Sequence, residues 1–451
     1  MADILNKLNS ANYITVKVTD NAIVNGNNLL AAYSLAKSTN PNGTVKSATN
    51  RLDIILPVAI YDLGTQSLTL DTEFIDIVGS TTDRNNHYIK SNVGVDDFGV
   101  VIQTANNVKL INLTIENTNT TYSNNFPDSS SPAAYFPGGN LPLTYVENVK
   151  FLSTNTFSMR IMVDYRGTFT NCTGGNLSFG GGTNNGGTLS GTFTGCTGGD
   201  YSFGGGASGT GGTLEGTFQG CTGGDYSFGG GGFDGGTLSG TFADCTGGEL
   251  SFGGGGFVGG TLSGTFQGCT GGDYSFGGAL GDGGNLTSTS KFTNCTGGDY
   301  SFGGGGFIGG TLSGTFINCT GGSFSFGGGG NSAGGNLTLT SKFTNCTGGS
   351  FSFGGGFTGG TLSGTFTDCT GGTSSFGGAS GTGGTLGGTF TGCTGQNASF
   401  GGGGNGGTLS GTFADCTGGS FSFGGGASGT GGTLGGTFQD CKGGPGSFGN
   451  L

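Results

Sequence analysis

Three kinds of residue in this chain have chemistry beyond packing: its thiols, its grouped carboxylates and its single imidazole. All twelve cysteines (Cys172, Cys196, Cys221, Cys245, Cys269, Cys295, Cys319, Cys346, Cys369, Cys393, Cys416 and Cys441) fall after Arg166, spaced 23 to 27 residues apart. Single cysteines at even intervals, with no histidine beside them, do not converge as a tetrahedral zinc site requires. Stacked at strand spacing, their Cβ atoms would also sit somewhat beyond the separation a disulfide prefers. They are expected to be free thiols that pack as small apolar groups.

The carboxylates give two patterns. Asp200, Asp225, Glu249, Asp273 and Asp299 occupy one position in five successive copies of a repeat. Like charges stacked at about 5 Å repel one another, and calcium would relieve them. A solvated acidic stripe explains the same residues, so they are a weak calcium candidate. The second pattern, Gly94-Val95-Asp96-Asp97, resembles part of a polygalacturonase motif, and glycan-cleaving enzymes do use paired carboxylates. Its companions are missing: His87 is not set between glycines, and no Arg-Ile-Lys run occurs. No catalytic residue or cofactor is assigned, and the chain is expected not to be an enzyme.

The element that must position these residues is a repeat of about 24 residues, written twelve times. Phe stands three residues before each cysteine, and Ser-Phe six and seven after it. The second aromatic column is Phe179, Phe203, Phe228, Phe252, Phe276, Phe302, Phe326, Phe353, Phe376, Phe400, Phe423 and Phe448. In Thr188-Leu189-Ser190-Gly191-Thr192-Phe193, apolar residues alternate with polar ones, which reads as a half-buried strand. Asp200-Tyr201-Ser202-Phe203 reads the same way, with both aromatics inward and the serine outward. The alternation breaks before the cysteine and across the Thr-Gly-Gly after it, which predicts corners there and three sides per turn. Gly-rich stretches such as Gly229-Gly230-Gly231-Gly232 are expected to form external corners. Two copies, at Leu286–Phe292 and Leu337–Phe343, carry two added residues, an even number that keeps later side chains on their faces. A repeat of this kind predicts an all-β, right-handed parallel β-helix, or β-solenoid. Twelve regular turns would form the Cys and Phe core ladders, preceded by about three irregular turns.

The domain reading is residues 1–50 as an N-terminal segment with a capping helix around Asn27–Lys37, 51–166 as irregular turns with a Pro-rich external loop, and 167–451 as the regular coil. Within the irregular part, Asn107-Val108-Lys109-Leu110-Ile111-Asn112-Leu113-Thr114-Ile115-Glu116-Asn117 resembles turns of the pectin-lyase-like right-handed parallel β-helix superfamily. The helix, the Leu-Pro strand and Tyr61-Asp62-Leu63-Gly64 resemble its opening segment, phage tail proteins included. The likeness covers residues 25–166 and implies fold rather than activity.

A net charge of -12 argues against nucleic acid. No segment reads as membrane-spanning and no signal peptide is recognisable at Met1–Lys7. An extracellular filament or virion surface, reached by lysis or a dedicated export route, is the expected location. The leading expectation is a non-enzymatic structural protein, a stiff rod that self-associates as a homo-oligomer or filament. The alternative is a polysaccharide-binding or polysaccharide-degrading β-helix protein with glycan as partner. An ice-binding solenoid comes next, on the outward rows of Thr188, Ser190, Thr192 and their equivalents, which Glu215, Lys291 and Lys342 interrupt.

Overall fold

A computed structural model describes residues 12–94, 99–120, 132–136, 144–153, 159–161 and 166–449. Parallel strands, each paired with its equivalent one turn on, make it a β-solenoid with a single α-helix, Ala22–Ser38. This is the architecture that the repeat predicts. Contacts divide the chain into two units: Met1–Thr183 with Gly187–Phe203 and Gly220–Thr222, and Asn184–Gly186 with Gly204–Gln219 and Gly223–Leu451. The paired acids Asp96 and Asp97, and Pro127, Pro137 and Pro142 of the expected loop, lie outside the described residues.

In the first unit, Tyr13–Thr15 pairs with Leu52–Leu56, which pairs with Ile75–Gly79. Leu52, Ile54, Leu56, Ile75 and Ile77 are fully buried, as their alternation requires. The helix begins earlier than its apolar spacing predicts. Asn21 is the N-cap: its Oδ1 accepts from the N–H groups of Ile23 and Val24 at 3.0 and 3.2 Å. Gly26 lets the helix close onto the strand Ala59–Asp62, because a Cβ there would lie 2.0 Å from the Asp62 carbonyl oxygen. A 3₁₀ turn at Pro41–Gly43 follows, where the sequence placed the stop.

In the second unit each copy contributes two short strands, such as Thr261–Leu262 and Thr265–Gln267, with Ser263-Gly264 bent between them. The sequence reads one strand there; the bend puts the halves into separate sheets. Leu262 and Phe266 still point inward and are fully buried. Phe266 stacks on Phe242 at 4.8 Å and 3°, and Phe276 on Phe252 at 4.8 Å and 7°. The two columns meet edge to face, as at Phe252–Phe266, 6.4 Å and 83°, a geometry worth about 0.5–1.5 kcal/mol per pair beyond burial.

The expected strand at Tyr-Ser-Phe does not form. Its aromatics adopt left-handed backbone, with φ of 54° and 50° at Tyr274 and Phe276, so successive side chains no longer alternate. Phe276 and Ser275 are fully buried, and Tyr274 is half-buried. The serines therefore face the interior, not the outward surface that alternation implies. Where the rotamer allows, they donate to the carbonyl three residues earlier: Ser301 Oγ to Gly298 O at 2.8 Å, Ser325 Oγ to Gly322 O at 2.7 Å.

The Gly-rich stretch also departs from expectation. Only its first residue is left-handed, as at Gly253 with φ 73°; the others are glycine because backbone packs on backbone. A Cβ on Gly235 would fall 2.0 Å from Gly253 O. Each stretch closes on itself, Gly260 N–H donating to Gly253 O at 2.7 Å, and so forms an arm that carries its tip outward.

The corner before each cysteine is left-handed as well: φ is 52° at Asp244, 63° at Gly268 and 54° at Asn294. Only Asn, Asp and Gly occur there, the residues that reach this region most cheaply. At Asp368, φ 52°, Asp368→Gly is expected to leave stability within about 0.5 kcal/mol, because the lost side chain is offset by relief of the backbone. Asp368→Val should cost about 1–2 kcal/mol. Chemical denaturation of the three proteins measures both.

Candidate functional site

The residues singled out in the sequence are placed as follows. All twelve cysteines are free, eleven buried and Cys441 half-buried. Cys269 Sγ donates to Phe242 O and Gln267 O at 3.4 and 3.5 Å. Contact with the Cys172 thiol, opposed by Cys221 and reinforced by burial, pushes the Cys196 thiol up. Burial of the column keeps these thiols from solvent.

The acidic residues lie outside, but their oxygens are engaged along the stack. Asp225 Oδ1 accepts from Glu249 N–H at 2.8 Å, Asp273 Oδ1 from Asp299 N–H at 2.8 Å, and Asp299 Oδ1 from Ser323 N–H at 2.7 Å. Asn176 and Asn397 make the same bond to Asp200 and Ser420, so the position selects a short acceptor rather than charge. Among the described residues no three acids, histidines or cysteines are grouped to hold a metal. Burial first, then Asp225 and Asp273, raises the Glu249 carboxyl.

His87, fully buried, bridges Ser80 Oγ at 3.2 Å and Asn112 O at 3.1 Å, and burial lowers its pKa. It holds two turns together. A carboxylate pair that the sequence reading missed sits nearby in the first unit, where Asp53 and Asp76 are register partners on adjacent strands. Arg51 clamps Asp76 with bonds of 2.6 and 2.5 Å and also donates to Asn107 O at 2.6 Å. Burial, then Asp76, raises the Asp53 carboxyl.

A concave site lies in the second unit, and it arises from the two insertions. Thr287–Ser290 and Thr338–Ser341 do not lengthen their strands; each folds into an outward turn tied by serine, Ser290 Oγ to Thr287 O at 2.6 Å and Ser341 Oγ to Thr338 O at 2.7 Å. Register holds on both sides, with Asn285 opposite Thr311 and Lys291 opposite Thr315. The regular copy Thr311–Ile317 thus lies between two raised walls about 10 Å apart, two strand spacings. An open cleft of about 370 Å³ results, lined by Asn285, Leu286, Thr287, Ser288, Thr311, Ser313 and Thr340. Thr338 Oγ1 donates to Ser313 Oγ at 2.9 Å and fixes the floor.

Lys291 and Lys342 flank Thr315 on the next strand of each copy, exposed and outside the lining of the cleft. Neither makes an ion pair among the described residues. Only one other basic residue, Lys442, follows Arg166. The sequence showed both the insertions and the lysines, but the former read as longer strands and the latter as flaws in a hydroxyl surface. The same walls, with Asn285 and Asn336 in the threonine row, break the flatness expected of an ice-contacting face.

The solved structures it resembles are β-helix proteins. The rice weevil pectin methyl esterase shows 13% identity at a TM-score of 0.26, covering 77% of this chain and 93% of that one. A pectin methylesterase of Erwinia chrysanthemi shows 10% identity and 0.24, covering 76% and 80%. The A-module of a mannuronan C-5 epimerase of Azotobacter vinelandii shows 10% and 0.21, covering 98% of each. The fold that the resemblance implied, a parallel β-solenoid, is seen in the chain's own strand pairing. No family model and no curated protein matches. The expectation that the chain is not an enzyme is corrected: the neighbours found are enzymes. Likeness this distant assigns no reaction. No helix among the described residues is long and apolar enough to cross a membrane.

A raised folded-state pKa means that native Asp53 keeps its proton where the unfolded chain has lost it. Stability then falls as pH rises from the ordinary value of 3.8 through the raised one. Asp53→Asn should therefore melt at a higher temperature than the wild type at pH 7, with the gap closing towards pH 3.8. Calorimetry at both pH values checks the sign.

Proposed function

We propose that this chain is a polysaccharide-binding β-helix protein, and that the cleft over Thr311–Ile317 takes a sugar residue bearing a negative charge. The observation that carries this reading is the cleft itself, lined by Asn285, Leu286, Thr287, Ser288, Thr311, Ser313 and Thr340, with Lys291 and Lys342 exposed on the strands that follow its two walls. Hydroxyls and an amide both donate and accept, which suits a ligand made of hydroxyls. The ammonium groups are point charges on flexible stems and attract a carboxylate or sulfate without demanding one orientation. The walls admit an extended chain because the cleft is open. The polymer would run across the stack, pinned where the two insertions rise.

In a protein of net charge -12, two cations at one cleft are a local reversal of the field. An acidic polymer is therefore held at this point and repelled along the Asp225–Asp299 column, which sets its register.

Titration calorimetry with polygalacturonate and with an uncharged glucan tests the proposal. Binding of the acidic polymer, weakened about tenfold in Lys291→Gln/Lys342→Gln and weakened again by added salt, is the expected result. Equal binding of both polymers, or a double variant that binds like the wild type, contradicts it.

A further inference from the structure

The Gly-rich arms of the second unit carry a row of exposed apolar side chains that the cleft does not use. Phe233, Phe257, Phe307 and Phe357 are 51, 62, 57 and 57% exposed, and Val258, Leu280 and Ile308 are also exposed. Adjacent arms are held in line by their backbones: Phe257 N–H donates to Phe233 O, Phe307 N–H to Gly281 O and Ser332 N–H to Phe307 O, at 2.6 to 3.0 Å. The row runs over five turn spacings, about 24 Å. It presents on the order of 600 Å² of apolar side chain, the upper edge of what a monomer leaves exposed. One partner in a standard interface contributes about 800 Å².

From this geometry we infer that the row is the contact surface for a second copy of this chain, packed antiparallel about a two-fold axis between Gly281 and Phe307. A two-fold perpendicular to a straight row makes that row complementary to itself. Of the six copies from Phe233 to Phe357, the third and fifth interrupt the rings: the tips at Gly281 and Asn331 carry none, although Leu280 stays exposed beside Gly281. The axis sets Phe257 of one copy into the gap at Asn331 of the other, and Phe307 into the gap at Gly281, while Phe233 meets Phe357. Asp234 and Asp282 stand along one flank, where they form a polar rim.

The other occupants fit less well. Phe233 and Phe257 stack face to face, 5.3 Å apart and 9° from parallel. Each spends one face on the other, which leaves fewer ring faces for a sugar. The flanking acids and the net charge of -12 oppose an anionic lipid surface.

Sedimentation velocity between about 1 and 100 µM tests the inference. A dimer that dissociates in Phe257→Asp/Phe307→Asp, with an unchanged circular dichroism spectrum and melting temperature, is expected. Mixed Phe257→Cys and Asn331→Cys chains should also cross-link between copies. A wild-type monomer at 100 µM, a dimer that survives the double substitution, or a loss confined to binding of phosphatidylcholine vesicles or of glycan would overturn it. The substitutions leave the cleft untouched, so failure here is distinct from failure of glycan binding.

Discussion

Turns of this coil are joined by backbone N–H···O bonds at strand spacing, about 4.8 Å, and every side chain must tolerate a copy of itself at that distance. Phenylalanine meets the condition by stacking: consecutive rings of the two buried columns in the second unit lie 4.6 to 5.0 Å apart and within 7° of parallel. Leucine, cysteine and serine meet it by being small or branched enough to nest. Asparagine does so by bonding lengthwise, as Asn345 Nδ2 donates to Asn318 Oδ1 at 3.0 Å and Asn318 Nδ2 to Asn294 Oδ1 at 3.1 Å. Aspartate meets it only because its oxygen accepts a backbone N–H from the next turn.

The same spacing accounts for most glycines of the arms. Two backbones brought together inside a narrow arm leave no room for Cβ, so glycine here substitutes main-chain hydrogen bonding for an apolar core. The arm then projects whatever stands at its tip. In one run of copies the tip is aromatic; in others it is Ser-Gly-Thr or Asn. Surface variety is thus confined to arm tips and insertions, and it is there that the cleft and the apolar row arise.

Much of this was legible in the sequence. Cysteine, leucine and the two phenylalanine columns were assigned to the interior from alternation and recurrence, and they are there. The corner before the cysteine carried its own signature, Asn, Asp or Gly in all twelve copies, which locates a left-handed residue. Tyr274 and Phe276 carried no such signature: aromatic residues with positive φ look like strand residues, and the inward turn of Ser275 followed from a backbone reversal that composition does not announce. Asn21 was a readable cap passed over because the apolar spacing begins later. The cleft was hidden for a different reason. Two extra residues in a strand and two extra residues in an outward turn preserve register equally, and only packing decides between them.

Function accordingly rests on departures from the repeat, while the fold rests on the repeat itself. The stacking claim can be measured directly within the second unit. Thr241 and Thr365 are exposed on the same ladder, five pairings apart through Thr265, Lys291, Thr315 and Lys342. Spin labels at Thr241→Cys and Thr365→Cys, in a Cys441→Ser background with the other thiols buried, report that separation by pulsed electron resonance. A single narrow distribution consistent with a backbone distance of about 24 Å is predicted. A broad distribution, or one centred far from that distance, would contradict stacked turns in register.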